Sequence, residues 1–198
     1  MKKTDRVPAA LRSRRTEFKT RAAADGEGPV IEGYFIVFNQ PYYIDPYMEE
    51  IVLPGAIDER TDTSDVRALV DHLPHLVLGR NTANSLSYSF DETGCFASVN
   101  LNEADSDAMN LYARVQRGDV DQASFGFDED EVTYVDFPDG RVRREIRHIA
   151  KLWELSVCTF PAYEQTYVSA RSRLTEELRR HETDAKKKDL KRRLKHHA

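Results

Sequence analysis

The chain has 198 residues, of which 40% are hydrophobic and 32% charged, enough for one domain of ordinary size with charged flanks. No stretch approaches the roughly 18–20 apolar residues of a membrane span, and the two cysteines, Cys95 and Cys158, are too few for a disulfide framework and lack metal-site spacing. The formal net charge of −5 is unevenly spread: residues 1–21 carry eight Lys/Arg against two Asp/Glu, 171–198 carry eleven against five, and 22–170 carry ten against twenty-seven, a net of −17.

The chain opens on Met1-Lys2-Lys3-Thr4-Asp5-Arg6, with no apolar run behind it, and is not read as a secretory signal. Residues 1–29 are polar and end in Asp25-Gly26-Glu27-Gly28-Pro29, a linker-like cluster. Val30 to Phe38 is β-branched and aromatic and reads as a buried strand, with Gly33 marking a bulge or a barrel corner. Glu50 to Leu53 is extended up to Pro54-Gly55, and a short helix is expected over Ala56 to Arg60. Val66 to Val70 is a further strand, running into Asp71-His72-Leu73-Pro74-His75. Leu86 to Phe90 and Cys95 to Leu101 flank Asp91-Glu92-Thr93-Gly94 and form a hairpin.

The clearest helix follows. Asp105 or Ser106 caps it, Ala108, Met109, Leu111, Tyr112 and Val115 form its apolar stripe, and Gly118 ends it. Strands are then expected over Val120–Phe127, Val132–Phe137, Val142–Ile149 and Leu152–Phe160, the middle two joined by Pro138-Asp139-Gly140. From about Ser172 the composition favours helix with a thin stripe of Leu174, Leu178, Leu190 and Leu194. Many short strands with a few helices give an α+β fold on a mostly antiparallel sheet. Closure into a β-barrel would remove its exposed edges.

Three polar residues stand out. Ser124 lies between Ala123 and Phe125-Gly126-Phe127, so alternation puts Ser124 and Gly126 on one side and the two phenylalanines on the other. Gly126 leaves room for a substrate backbone; the plainer reading of Ser124 is a filler hydroxyl. His72 at a strand end could act as a general base or be an ordinary turn histidine. His75 is a rival for the role, and His148, within the basic run Arg141 to Lys151, reads as a solvated strand face. Glu154 sits in Leu152-Trp153-Glu154-Leu155-Ser156-Val157-Cys158, where a carboxylate must be paired. Its partner is either an imidazole, as in a catalytic triad, or an arginine such as Arg143 or Arg147.

Taken in order, several segments resemble the prohead proteases of tailed bacteriophages. These are Gly33-Tyr34-Phe35-Ile36-Val37-Phe38-Asn39, Glu50-Ile51-Val52-Leu53-Pro54-Gly55-Ala56, and Ala68-Leu69-Val70-Asp71-His72 with Leu78-Gly79-Arg80. Arg117-Gly118-Asp119-Val120 with Ala123-Ser124-Phe125-Gly126-Phe127, and Leu152 to Thr159 with Pro161-Ala162-Tyr163 and Thr166, complete the set. That family is similar to herpesvirus assemblin, which implies an assemblin-like closed barrel flanked by a few helices. It also implies a triad of His72, Ser124 and Glu154, the last standing where assemblins use a second histidine. The arginine pair that assemblins place after this strand is replaced by Pro161-Ala162-Tyr163, leaving backbone N–H groups near Ser124 and a water as oxyanion donors.

The resemblance implies a serine endopeptidase that needs no metal or cofactor. Its substrates would be the scaffolding part of the phage major capsid protein and the protease itself, and a homodimer is expected. The place of action is the viral procapsid in the host cytoplasm, with no membrane partner. Residues 30–170 would form the protease domain, 1–29 a basic arm and linker, and 171–198 a basic, helix-prone tail. The basic ends are either solvated tails or tethers that are later removed. One alternative is a catalytically inactive procapsid assembly or scaffolding protein on the same fold. Nucleic-acid binding is disfavoured by the −17 body and the absence of a binding motif. No Gly-x-Ser-x-Gly elbow or His-Glu-x-x-His motif points to another hydrolase class.

Overall fold

The computed structural model describes residues 11–15, 17–22, 28–45 and 47–159. All of them belong to a compact unit spanning Met1–Ala162; a second unit, Tyr163–Ala198, and with it the expected tail helix, lies outside the described residues.

Two long strands dominate. β10 (Gln122–Asp136) and β11 (Val142–Cys158) run antiparallel, joined through Pro138-Asp139-Gly140. Four separate strands were expected here because charged residues interrupt the apolar pattern at Asp128–Glu131 and Lys151. The ribbon absorbs those interruptions as irregularities of register between Gly126 and Val132 rather than as breaks. Around the ribbon, β1 (Leu11–Arg15) pairs with β10, while β5 (Met48–Val52) and β6 (Arg67–Val70) lie parallel to successive parts of β11. β4 (Tyr42–Asp45) and β7 (Leu73–Arg80) are outer strands on β5 and β6. β7 was missed in the sequence because Pro74 argues against a strand. Among the described residues β7 pairs with β6 alone, where a missing N–H is tolerated.

A second sheet takes the order β2 (Lys19–Arg21), β3 (Val30–Val37), β9 (Gly94–Asn100), β8 (Leu86–Phe90). Residues 11–21, which composition grouped with the polar arm, thus supply one strand to each sheet. Among the described residues the pairings form two sheets and no ring, so the expected closed barrel is not found. Strand pairing is mostly antiparallel, and among the described residues there is one α-helix.

That helix, α1 (Ser106–Arg117), has the predicted ends. Asp105 caps it by accepting from the N–H groups of Asp107 and Ala108, and Gly118 closes it at φ 84°. Ala108, Leu111, Tyr112 and Val115 are buried in a core shared with Phe35, Ile36, Val99, Phe125, Phe127, Leu155 and Val157. The helix expected over Ala56 to Arg60 is instead a string of turns. The Asp58 carboxylate accepts from the N–H of Arg60, and Thr61 N–H donates to the Asp58 carbonyl, a local bonding pattern that competes with helix. Gly33 is not the bulge, which falls between Tyr34 and Ile36. A Cβ at Gly33 would meet the Phe18 ring at 3.0 Å, so the glycine makes room for a neighbour.

Candidate active site

Asp71 and His72 form the two-residue link between β6 and β7, with Val70 paired to Leu73 across it. Both have positive φ, 48° and 59°, as a tight type I′ hairpin requires. For residues with a Cβ this left-handed backbone costs roughly 1–2 kcal/mol each. The end of β11 holds it in place. Asp71 N–H donates to the Val157 carbonyl (3.0 Å), and the Asp71 carboxylate accepts from Thr159 N–H (2.8 Å) and Oγ1 (3.2 Å). His72 N–H donates to Ser156 Oγ (3.2 Å). A strained turn pinned by four contacts delivers one imidazole to one strand.

The imidazole meets Glu154. Its Nδ1 lies 2.7 Å from Glu154 Oε1, with both side chains about one-tenth exposed. Ser156 Oγ, fully buried, donates to the other carboxylate oxygen at 2.5 Å. The Glu154 carboxylate is therefore paired with the histidine and not with an arginine. Of the two arginines considered, Arg143 binds Glu49 and Arg147 lies near Glu145.

The register of the ribbon explains how a glutamate from an apolar run reaches this position. Gly126 is opposite Glu154 and Phe127 opposite Leu152. Trp153 is therefore an extra residue on β11, and it inverts which positions face the core. Leu152, Leu155 and Val157 pack inward with Phe125 and Phe127, whose rings stack at 5.0 Å. Glu154, Ser156 and Cys158 share the other face with Ser124, which is paired directly with Ser156. Gly126 serves this carboxylate rather than an incoming backbone: a Cβ there would lie 2.7 Å from Glu154 Oε1.

Ser124 is fully buried, and among the described residues its Oγ has no hydrogen-bond partner. The other ring nitrogen of His72, Nε2, lies 3.7 Å from Cys158 Sγ. Burial, reinforced by Asp71 and Glu154, pushes the Cys158 pKa up, which favours the thiol form beside Nε2. With the ring proton on Nδ1, facing the Glu154 carboxylate at 2.7 Å, Nε2 is left with its lone pair. This is the tautomer a general base needs.

His75 is exposed on β7. His148 is not solvated, as expected from its basic neighbours, but only 2% exposed. Alternation along β11 turns Arg144, Ile146 and His148 inward and Glu145 and Arg147 outward. Its ring lies between Asp130 (2.5 Å) and Asp58 (3.3 Å). Ser156 was overlooked in the sequence. Its signal was position, two residues beyond a buried glutamate and so on the same strand face. No cluster of three His, Cys, Asp or Glu suited to a metal occurs among the described residues.

A model of the caudovirus prohead serine protease family matches residues 16–181. A prohead protease of Enterobacteria phage HK97 is 31% identical over 154 residues, which cover 78% of this chain and 65% of that protein. No solved structure matches the chain.

Proposed function

The chain belongs to the caudovirus prohead serine protease family, and we propose that it is itself a serine endopeptidase of prohead maturation, with Ser124 as nucleophile, His72 as base and Glu154 as orienting carboxylate. The observation that carries this reading is the 2.7 Å bond from His72 to Glu154 on the sheet face that Ser124 shares.

In this mechanism the Ser124 hydroxyl attacks a peptide carbonyl carbon while His72 Nε2 takes its proton. Glu154 stabilises the imidazolium through Nδ1–H, with Ser156 fixing the second carboxylate oxygen. The tetrahedral adduct collapses as Nε2 protonates the leaving amine, and an ester to Ser124 remains. Water, deprotonated by the same Nε2, then releases the acid and restores the serine. For the Ser124 hydroxyl to pass its proton to Nε2, it displaces the Cys158 thiol from that nitrogen.

The substrates on this reading are the scaffolding part of the major capsid protein and the chain's own ends, cut within the procapsid in the host cytoplasm. A homodimer is the expected active form, residues 30–170 its protease domain, and the basic ends its tethers.

That Ser124 Oγ has no hydrogen-bond partner among the described residues favours the second reading, an inactive assembly protein on the same fold. Intact-mass analysis of the full chain over time, beside Ser124→Ala, separates the two. Shortening in the unaltered chain alone supports the protease. Equal shortening in both removes Ser124 as nucleophile, and no change in either, even at high concentration, favours the assembly protein.

A further inference from the structure

The strand that carries Ser124 has two edges. β11 takes one along its whole length. Over Gln122–Gly126 the other is taken by β1, with Leu11 opposite Gly126, Ser13 opposite Ser124 and Arg15 opposite Gln122. An extended peptide that added itself beside the nucleophile by main-chain hydrogen bonds, a common mode of peptide recognition, would meet the chain's own residues there. We propose that the β10 edge over Gln122–Gly126 is the docking line for an extended substrate segment and that residues 11–15 hold it in cis, as a built-in competitor. The inference rests on the nucleophile assigned above.

Two further observations support it. The family model begins at residue 16, immediately after β1, so the strand on the nucleophile's edge lies outside the matched body. The segment also suits its seat by charge. Residues 1–15 carry six Lys/Arg and one Asp, against a net of −17 over residues 22–170. A basic strand is drawn to an acidic body, and salt weakens that attraction. While the arm is seated, an incoming peptide binds only the fraction of molecules with a free edge, and its apparent affinity falls in proportion.

The test compares the unaltered full chain with a full-length variant carrying both Ser13→Pro and Arg14→Pro. Successive N–H groups of a strand point to opposite edges, so one of the two prolines removes a donor aimed at β10. Neither substitution replaces His72, Ser124 or Glu154, although Ser13 stands opposite Ser124 across the strand pair. The probe is a fluorescein-labelled peptide of residues 9–17, followed by anisotropy, and hydrogen exchange of 122–126 is read beside α1 as a control for folding. Expected are faster exchange at 122–126, unchanged exchange in α1, and peptide binding about tenfold tighter in the variant. Equal affinity, or equal exchange, overturns the proposal.

A fluorophosphonate probe reports separately on the serine. Faster labelling of Ser124 in the variant supports the edge as the route to the nucleophile, and unchanged labelling with tighter peptide binding overturns that route. Labelling of neither chain, with tighter peptide binding, sinks the nucleophile assignment instead and leaves the edge as a peptide-binding surface.

Discussion

The β10·β11 ribbon buries polar groups at both ends, but it surrounds them differently. At the end near Ser124, one imidazole faces one carboxylate, a single serine braces the pair, and a glycine leaves the space they occupy. At the far end the charges are held by several partners. Arg143 and Arg144 stand in register with Glu49 and Glu50 of β5, and Arg144 also bonds Glu129. Burial pulls the Arg144 pKa down, and the Glu50 and Glu129 carboxylates more than offset this, so it ends above its ordinary value. His148 likewise lies between two carboxylates. A network with spare partners holds the fold together, whereas a lone pair with one geometry is suited to chemistry. Substitution at the two ends should therefore change different measurements.

The largest effect is expected from Glu154→Gln. The amide matches the carboxylate in shape, but its NH2 would donate to His72 Nδ1. The imidazole proton would then move to Nε2, which could no longer act as base. A loss of about 10³–10⁴-fold in fluorophosphonate labelling of Ser124 is expected, by analogy with other triads, with little change in melting temperature. Labelling at the unaltered rate would remove Glu154 from the mechanism.

Arg144→Met tests the other end. It leaves Glu50, 1% exposed, and Glu129 without the cation they share. Breaking a buried pair in this way costs about 3–5 kcal/mol, read by denaturant unfolding. At low temperature, where the variant stays folded, Ser124 labelling should stay within about threefold of the unaltered chain, because local network losses leave distant geometry in place. A variant that keeps its stability, or loses labelling while folded, breaks the division between the two ends.

How much of this could be read from the sequence depended on whether the signal was local. The capped helix over Ser106–Arg117 was legible because its caps and stripe lie within one segment. The hairpin of β8 and β9 was legible for the same reason, its turn residues being contiguous. His72, Ser124 and Glu154 could be listed as candidates, but the residues alone left the partner of Glu154 open between an imidazole and an arginine. What decides it is non-local: Trp153 as an extra residue inverts the parity of β11, and a two-residue turn from 82 positions away supplies the imidazole. The same inversion hid Ser156. The barrel was inferred from strand number and from the resemblance to assemblin, and neither fixes closure here; that β5 and β6 both run parallel on β11 is a matter of pairing alone. Residues 11–15 read as polar arm because an edge strand on an acidic body needs no apolar pattern.

Gly126→Ala probes the junction between the two ends at the scale of one methyl group. The added Cβ would sit 2.7 Å from Glu154 Oε1, 3.1 Å from its Cγ and 3.3 Å from its Cδ, so the carboxylate must move while Phe125 and Phe127 stay packed. A displacement near 1 Å costs about 10²-fold in rate, and overpacking costs roughly 1–3 kcal/mol in stability. The sharper measurement is the pair of substitutions together. If the methyl acts through the carboxylate, adding Gly126→Ala to Glu154→Gln should lower the labelling rate far less than it does in the unaltered chain, because contacting residues do not contribute independently. Additive losses would mean that Gly126 matters for some other contact on the Ser124 face, and that the glycine is not there to seat the carboxylate.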